Sequence, residues 1–355
     1  MIALACRLLP VLCLALLLPH DAAARKPKTR DTAVANAGSA TAETYAQRQD
    51  VREFALQLAE RRELPPPWVQ AQLAQARLQP TAQRLMMPPP AGTAKNWAAY
   101  RERFVEPQRI MAGERFWQDN ADWLQRAEER FGVPAQIIVG IVGVETFYGR
   151  ITGNFRVLDV LTTLAFDFPA GRSDRSAFFR SELEEFLVWC RREGLDCAAP
   201  KGSFAGAMGL PQFMPGSINR WAVDFDGDGH IDLNGSAADV IGSVANYLAA
   251  HGWQRGMPIT FEVAVPVDTR ARATLLAPDI LPSFSAEQMA ALGAELDAAG
   301  RAHEGPLALV ELQNGDAAPS FVAGTQNFYA LTRYNWSSYY AMAVITLGEA
   351  VKRQL

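Results

Sequence analysis

Apolar positions recur at a helical spacing over most of the chain. From Tyr45 onward, Phe54, Leu56 and Leu58, then Trp68, Val69 and Leu73, predict short amphipathic helices. The runs Pro65-Pro66-Pro67 and Pro88-Pro89-Pro90 interrupt them, because proline removes a backbone donor and crowds the preceding turn. A further helix is predicted over 115–130, so 45–130 reads as a helical domain. Residues 134–147 differ: Ile137, Ile138, Val139, Ile141, Val142 and Val144 place apolar groups on all sides, the pattern of a buried helix. Helical patterns return over 175–193 and 237–251. At Ile259, Phe261, Val263, Val265 and Val267 the period falls to two, which predicts a strand over 259–267. A second strand is predicted over 307–312, with a helix over 285–299 between them. The expectation is therefore a small mixed insertion, 256–324, in a core formed by 131–255. Residues 325–355 return to that core, the helical pattern resuming after Phe321 and running to Val351. There is no internal repeat.

The first 24 residues carry a different signal. Arg7 precedes an apolar run over 8–18, and Ala22-Ala23-Ala24 supplies small residues for cleavage, which predicts a secretory signal peptide. The run is too short to span a bilayer, which takes about 20 apolar residues. Cys6 and Cys13 lack the preceding pattern of a lipoprotein signal. Cutting after Ala24 leaves a soluble protein expected in the periplasm, without a transmembrane segment. Residues 25–44, rich in Ala, Thr, Lys and Asn, read as a flexible linker. The 355 residues suffice for two or three domains, and the formal net charge of -4 argues against nucleic acid. Cys190 and Cys197 would remain after cleavage, either as a local disulfide or as two inert thiols; spacing does not decide.

Four features carry chemistry. Glu145 ends the apolar helix in Gly143-Val144-Glu145-Thr146-Phe147-Tyr148-Gly149. Burial and the negative end of the helix dipole both disfavour its charged form, raising its pKa toward that of a general acid for glycoside cleavage. The stretch from Gly202 to Pro215, Gly-Ser-Phe-Ala-Gly-Ala-Met-Gly-Leu-Pro-Gln-Phe-Met-Pro, combines small residues that admit a polymer with Ser203 and Gln212 for hydrogen bonds. Phe204, Met208, Phe213 and Met214 offer apolar surfaces for sugar faces, though a tightly packed core loop would have the same composition. Asp224-Phe225-Asp226-Gly227-Asp228-Gly229-His230-Ile231-Asp232 matches the first nine positions of an EF-hand loop, a structural calcium site. Position twelve is Gly235 rather than Glu, so Asp239 on the following helix is expected to close the site. Last, Tyr334-Asn335-Trp336-Ser337-Ser338-Tyr339-Tyr340 gathers aromatics and an amide that suit either sugar binding or an ordinary helix junction.

In this order, and with Ile241-Gly242-Ser243-Val244-Ala245-Asn246-Tyr247 after the acidic loop, these motifs resemble the lytic murein transglycosylase B family from about Trp97 to the C-terminus. The resemblance implies a mainly α protein, with a lysozyme-like α core flanked by a helical N-terminal domain and a small β-containing domain. It implies cleavage of peptidoglycan glycan strands between N-acetylmuramic acid and N-acetylglucosamine without water, with Glu145 as the acid/base. Ser203, Gln212, Tyr247, Tyr334, Asn335 and Tyr340 match glycan-contacting positions, and so, less closely, does Tyr100. Asp224, Asp226, Asp228 and Asp239, with the His230 carbonyl, match a Ca2+ site.

Two rival readings stand beside it. A lysozyme-like hydrolase needs a second carboxylate or a placed water, for which Asp159 and Asp167 are the nearest candidates downstream. A non-catalytic peptidoglycan-binding protein would tolerate loss of Glu145. A zinc peptidase is disfavoured, since no His-Glu-x-x-His occurs among four histidines.

Overall fold

The computed structural model describes residues 44–88 and 94–355; the expected signal peptide and all but the last residue of the expected linker lie outside the described residues. Helices α1 (Gln49–Arg61), α2 (Pro66–Leu73) and α3 (Pro80–Leu85) come first. Pro66 and Pro80 sit in the first turns of α2 and α3, where a missing N–H leaves no intrahelical bond unmade. Next are α4 (Trp97–Phe104), α5 (Pro107–Asp119) and α6 (Ala121–Phe131). The single helix expected over 115–130 is thus two. The break falls at Asn120, whose side chain donates to the Phe116 carbonyl at 2.8 Å and competes with helix continuation.

The buried helix is α7 (Ala135–Thr146), with every residue buried except Gln136. It is followed by β1 (Phe155–Arg156) and by α8 (Val157–Phe166), an apolar helix that the periodicity reading passed over. Then come α9 (Ser176–Arg192), β2 (Lys201–Gly202), which pairs antiparallel with β1, α10 (Pro215–Trp221) and α11 (Ala237–Ala250). Arg61 at the end of α1 and Arg62 just after it pair with Glu184 and Glu185 of α9, fastening the N-terminal helices to the core.

The insertion holds β3 (Thr260–Phe261), β4 (Val263–Ala264), α12 (Thr269–Leu276), α13 (Ala286–Ala291), β5 (Glu295–Leu296), α14 (Ala298–Arg301), β6 (Ala308–Asn314) and β7 (Ala317–Gly324). The strand expected over 259–267 is instead two short strands in different sheets. β3 joins a three-stranded antiparallel sheet in the order β3-β7-β6, while β4 pairs with β5. The switch falls at Glu262, which is held by Asp297: its N–H reaches the Asp297 carboxylate and its carbonyl accepts from the Asp297 N–H. The helix expected over 285–299 is also cut short. Ser285 and Gln288 form a capping box that starts α13, but Gly293 at a φ of 83° turns the chain into β5. The helical pattern expected from Phe321 begins only at Gln326, because β7 runs on to Gly324. Thr325 caps α15 (Gln326–Tyr334), and α16 (Ser338–Lys352) closes the chain.

Two apolar cores result. The main one runs from Tyr45 to Val351 and includes the N-terminal helices; a smaller one lies within the insertion, from Phe261 to Ala323. Strand β6 belongs to both: Ala308, Val310 and Leu312 face the main core and Leu309 the smaller one, the two-residue period of a strand.

The contact that positions the site is the crossing of α7 and α16. A Cβ at Gly140 would lie 2.3 Å from the Val344 carbonyl oxygen, and one at Gly348 would lie 2.1 Å from that of Gln136. Each helix therefore presents a glycine to the other's backbone. Position 136 faces 348 and 140 faces 344, so the helices run antiparallel, and the same register carried one turn further sets Val144 opposite Tyr340, which brings Tyr340 beside the neighbouring Glu145. Among the described residues, no helix is long and apolar enough to cross a membrane.

Candidate active site

Glu145 sits in the last turn of α7, where the chain leaves the helix through two consecutive left-handed residues, Phe147 at a φ of 52° and Tyr148 at 56°. Neither is a glycine, so this turn is strained and must be held by its surroundings. Thr146 does much of the holding. Its hydroxyl donates to the Leu210 carbonyl at 2.9 Å and accepts from the Gly149 N–H at 3.1 Å. Arg109 contributes too: it is buried, with its guanidinium 4.6 Å from the Phe147 ring centre, and Arg150 stacks on the same ring. Motif reading missed these supporting roles, since nothing local marks Thr146 or Arg109 as partners of residues far away in sequence.

The Glu145 carboxyl is buried, and burial pushes its pKa from the ordinary 4.5 up to about 8; the Tyr340 hydroxyl beside it is the one opposing influence. The sequence expectation of a raised pKa thus holds through desolvation. The Oε1 atom of Glu145 and the Tyr340 hydroxyl are both buried without a well-aligned hydrogen-bond partner. Tyr340 and Tyr100 have their own pKa values raised, first by burial and then by the charge of Glu145, which puts Tyr340 beside the carboxyl and Tyr100 within reach of its field. Neither aspartate proposed for a hydrolase is near this arrangement. Asp159 accepts from the Arg77 N–H and the Arg156 guanidinium, and Asp167 accepts from Tyr45 and Arg48, so both tie the N-terminal helices to the core.

The glycine-rich block forms the facing wall. Ser203 Oγ accepts from the N–H groups of Ala205 and Ala207, which leaves its proton to donate outward. Gly202 leaves no room for a side chain, because a Cβ there would lie 2.1 Å from the Ala207 carbonyl oxygen. Gln212 adopts a φ of 50° and donates through its amide to the Thr152 and Gly209 carbonyls, so its side-chain oxygen is the group left to accept. Phe204 is half-buried against the core.

Aromatic rings continue the wall. Tyr340 stacks with Tyr334 at 6.2 Å, Tyr334 contacts Phe213 and Tyr247, and Tyr247 contacts Trp221. Tyr334 donates to the Pro211 carbonyl and Tyr247 to the Arg333 carbonyl. Asn335 is buried at the turn between α15 and α16. From Tyr100 and Asn335 a hollow of about 280 Å³ opens toward the insertion, past Trp336, Tyr339, Ile280 and Lys95. Glu145, Tyr100, Tyr334 and Tyr340 are therefore brought together, with Ser203, Gln212 and Tyr247 along the same wall.

The acidic loop stands apart from Glu145 but is wired to it. Oxygens of Asp224, Asp226 and Asp239 lie within 4.8 Å of one another, so Asp239 of α11 gathers with two carboxylates of the loop. Asp228 is not in this trio; its carboxylate accepts from the His230 N–H within the turn. Asp239 is buried, and its two oxygens accept from the N–H groups of Phe225 and Asp232. Leu233, next in the chain, accepts from the Leu210 N–H, and Leu210 in turn accepts from Thr146. A continuous set of hydrogen bonds thus joins the loop to the turn after Glu145. Three converging carboxylates repel unless a cation neutralises them, and an all-oxygen set suits a hard divalent ion.

A mainly helical, lysozyme-like core, with one buried carboxyl at a helix end facing a glycine-rich wall, defines a class of glycan-cleaving enzymes. The transglycosylase SLT domain family matches residues 46–349. The membrane-bound lytic murein transglycosylase B of Escherichia coli K12 is 44% identical over 263 residues, covering 74% of this chain and 69% of that protein. Among solved structures, soluble lytic transglycosylase SltB1 of Pseudomonas aeruginosa superposes with a TM-score of 0.77 at 38% identity, covering 86% of this chain and 99% of that one. Escherichia coli lytic transglycosylase Slt35, solved in complex with calcium, superposes with a TM-score of 0.74 at 38% identity, covering 87% and 95%. The chain belongs to the lytic transglycosylase family.

Proposed function

We propose that Glu145 serves this lytic transglycosylase as its only acid and base in cutting the β-1,4 bond between N-acetylmuramic acid and N-acetylglucosamine of peptidoglycan. The observation that carries this reading is the Glu145 carboxyl, kept protonated by burial at the end of α7 and faced by the Tyr340 hydroxyl. With a pKa near 8 it holds a proton at neutral pH and can donate it to the bridging oxygen. Positive charge then builds at the muramic C1, where the substrate's own N-acetyl oxygen can stabilise it. The ionised Glu145 next removes the proton of the same sugar's C6 hydroxyl, and that oxygen closes on C1 as a 1,6-anhydro ring. Ser203, Phe204, Gln212, Tyr247, Tyr334, Asn335, Tyr340 and Tyr100 line the glycan path in this proposal. The apolar setting favours the internal nucleophile by keeping water out.

The test is the product. Digested sacculi should release muramic ends lighter by one water than hydrolysed ends and resistant to borohydride. Reducing ends carrying oxygen-18 from labelled water would show a hydrolase, and an absence of new ends would show a binding protein.

The acid role also sets a pH dependence. The donor is lost as pH rises through the folded pKa, so kcat/KM should fall on the alkaline side with a midpoint near pH 8. A profile still flat at about pH 9.5 would remove Glu145 as the donor.

We propose further that the acidic loop binds calcium structurally, held by Asp224, Asp226 and Asp239, with Asp228 and the His230 carbonyl supplying the outer positions of the EF-hand pattern. Support comes from the three gathered carboxylates and from the calcium complex of the Escherichia coli relative. Adding calcium to chelator-stripped protein should raise the thermal midpoint by roughly 5 °C at a hundredfold excess over Kd. Asp226→Asn should abolish the rise; an unchanged midpoint in the parent would leave the loop an acidic turn. Export to the periplasm, by way of the signal peptide of residues 1–24, fits a cell-wall substrate, and we propose 256–324 as a discrete inserted domain.

A further inference from the structure

Cys190 and Cys197 play no part in the chemistry above, yet they occupy a joint of the fold. Cys190 lies in the last turn of α9 and Cys197 in the turn that follows; both are fully buried and both are free thiols. The Cys190 thiol stands against that of Cys197, which with burial and nearby Asp196 pushes its pKa up. The intervening residues 191–196 are exposed, and the turn is closed by backbone bonds from Leu195 to Cys190 and from Ala199 to Asp196. Past Cys197 the chain is pinned at once: Pro200 accepts from the Val157 N–H, and Lys201–Gly202 pairs with β1 before delivering Ser203.

We infer that these thiols are a cross-linking site, joined as a Cys190–Cys197 disulfide that clamps the end of α9 to the strand leading into the glycine-rich wall. Both side chains turn into the same core and the thiols are in hydrogen-bond contact, so closing the ring asks little rearrangement. A thiol pair in an apolar interior gains only a weak hydrogen bond, whereas the disulfide removes chain entropy from the unfolded state. The reaction is exchange with a donor disulfide, either oxidised glutathione or that of a thiol oxidoreductase. One cysteine thiolate attacks the donor, forming a mixed disulfide and releasing one donor thiol. The second thiolate attacks the protein sulfur of that mixed disulfide, forming the internal bond and releasing the other donor thiol. Because both sulfurs are buried once folded, exchange takes place while the chain folds, and the finished bond is shielded from reductants.

The linkage and melting measurements need neither substrate nor calcium and stand apart from the proposed activity. The full chain is unfolded with reductant, refolded in oxidised and reduced glutathione, and digested with trypsin, which cuts at Arg191 and Arg192 between the two cysteines. The expected result is a linked pair of peptides, lighter by two hydrogen atoms than their sum. The oxidised protein should melt about 5 °C above its reduced form. The double variant Cys190→Ser, Cys197→Ser should melt with the reduced form and keep activity within about twofold. Unlinked thiols at both positions after refolding, or glutathione on each without a link, would overturn the inference, as would a bond between two chains.

Discussion

Glu145→Gln is expected to lower turnover of peptidoglycan by about a hundredfold to ten-thousandfold, the range for loss of general acid catalysis, and at the same time to stabilise the fold at neutral pH. The shape of the side chain survives; the proton does not. The stability change follows from linkage. The folded carboxyl has a pKa of about 8 against 4.5 in the open chain, so unfolding releases a proton everywhere between those values. Its contribution is fully present below about pH 4.5, declines as pH rises, and is spent above about pH 8. By pH 7 the loss is on the order of 3 kcal/mol, which the non-titrating glutamine avoids. A buried amide lacking a partner costs about 1–3 kcal/mol, so the gain at pH 7 is partly offset. The slope is therefore the firmer readout: denaturation midpoints measured near pH 4.5 and pH 7.5 should diverge between parent and variant. Parallel pH dependence of the two would mean that Glu145 is ionised in the fold, and near-normal turnover by the variant would end its assignment as the acid.

Some of this site was legible in the chain because its physics is local. An apolar residue at almost every position of 135–144 can only be a buried helix, and a carboxylate at its end inherits that burial. The spacing of Asp224, Asp226 and Asp228, with Gly229 for the turn, likewise matches the start of an EF-hand loop, and Asp239 further along does gather with Asp224 and Asp226. The parts that were missed depend on distant partners. Nothing near Thr146 announces that it bonds to Leu210. Strand β7 carries Ala-Ala-Pro-Ser before its apolar end, so periodicity alone passed over it, although Asn314-Gly315 between two extended runs is a hairpin signal. The break at Glu262 depends on Asp297, 35 residues away. Tyr340 was placed by likeness to a family, but its position beside Glu145 is a matter of helix register, set by two glycines that local pattern treats as weaknesses.

That register yields the second large effect. In an exposed helix, Gly→Ala stabilises by about 1 kcal/mol, because alanine loses less backbone freedom. Gly348→Ala should do the reverse here. Its Cβ would lie 2.1 Å from the Gln136 carbonyl oxygen and 2.8 Å from the carbonyl carbon, and backbone atoms inside a helix cannot rotate aside as a side chain can. Relief requires α16 to retreat from α7 by about an ångström along a fully packed face, an overpacking cost of about 3 kcal/mol, which exceeds the propensity gain. The same retreat draws Tyr340 away from Glu145, so activity at 25 °C should fall even where the variant remains folded. Gly140→Ala, whose Cβ would meet the Val344 carbonyl oxygen at 2.3 Å, should repeat the effect from the other helix. Because the two substitutions force apart one contact, the double variant should lose less than the sum of the singles. Urea denaturation of the three variants measures all of this. A Gly348→Ala protein as stable as its parent would show that the helices do not touch where Gln136 meets Gly348, and the placement of Tyr340 against Glu145 would lose its structural cause.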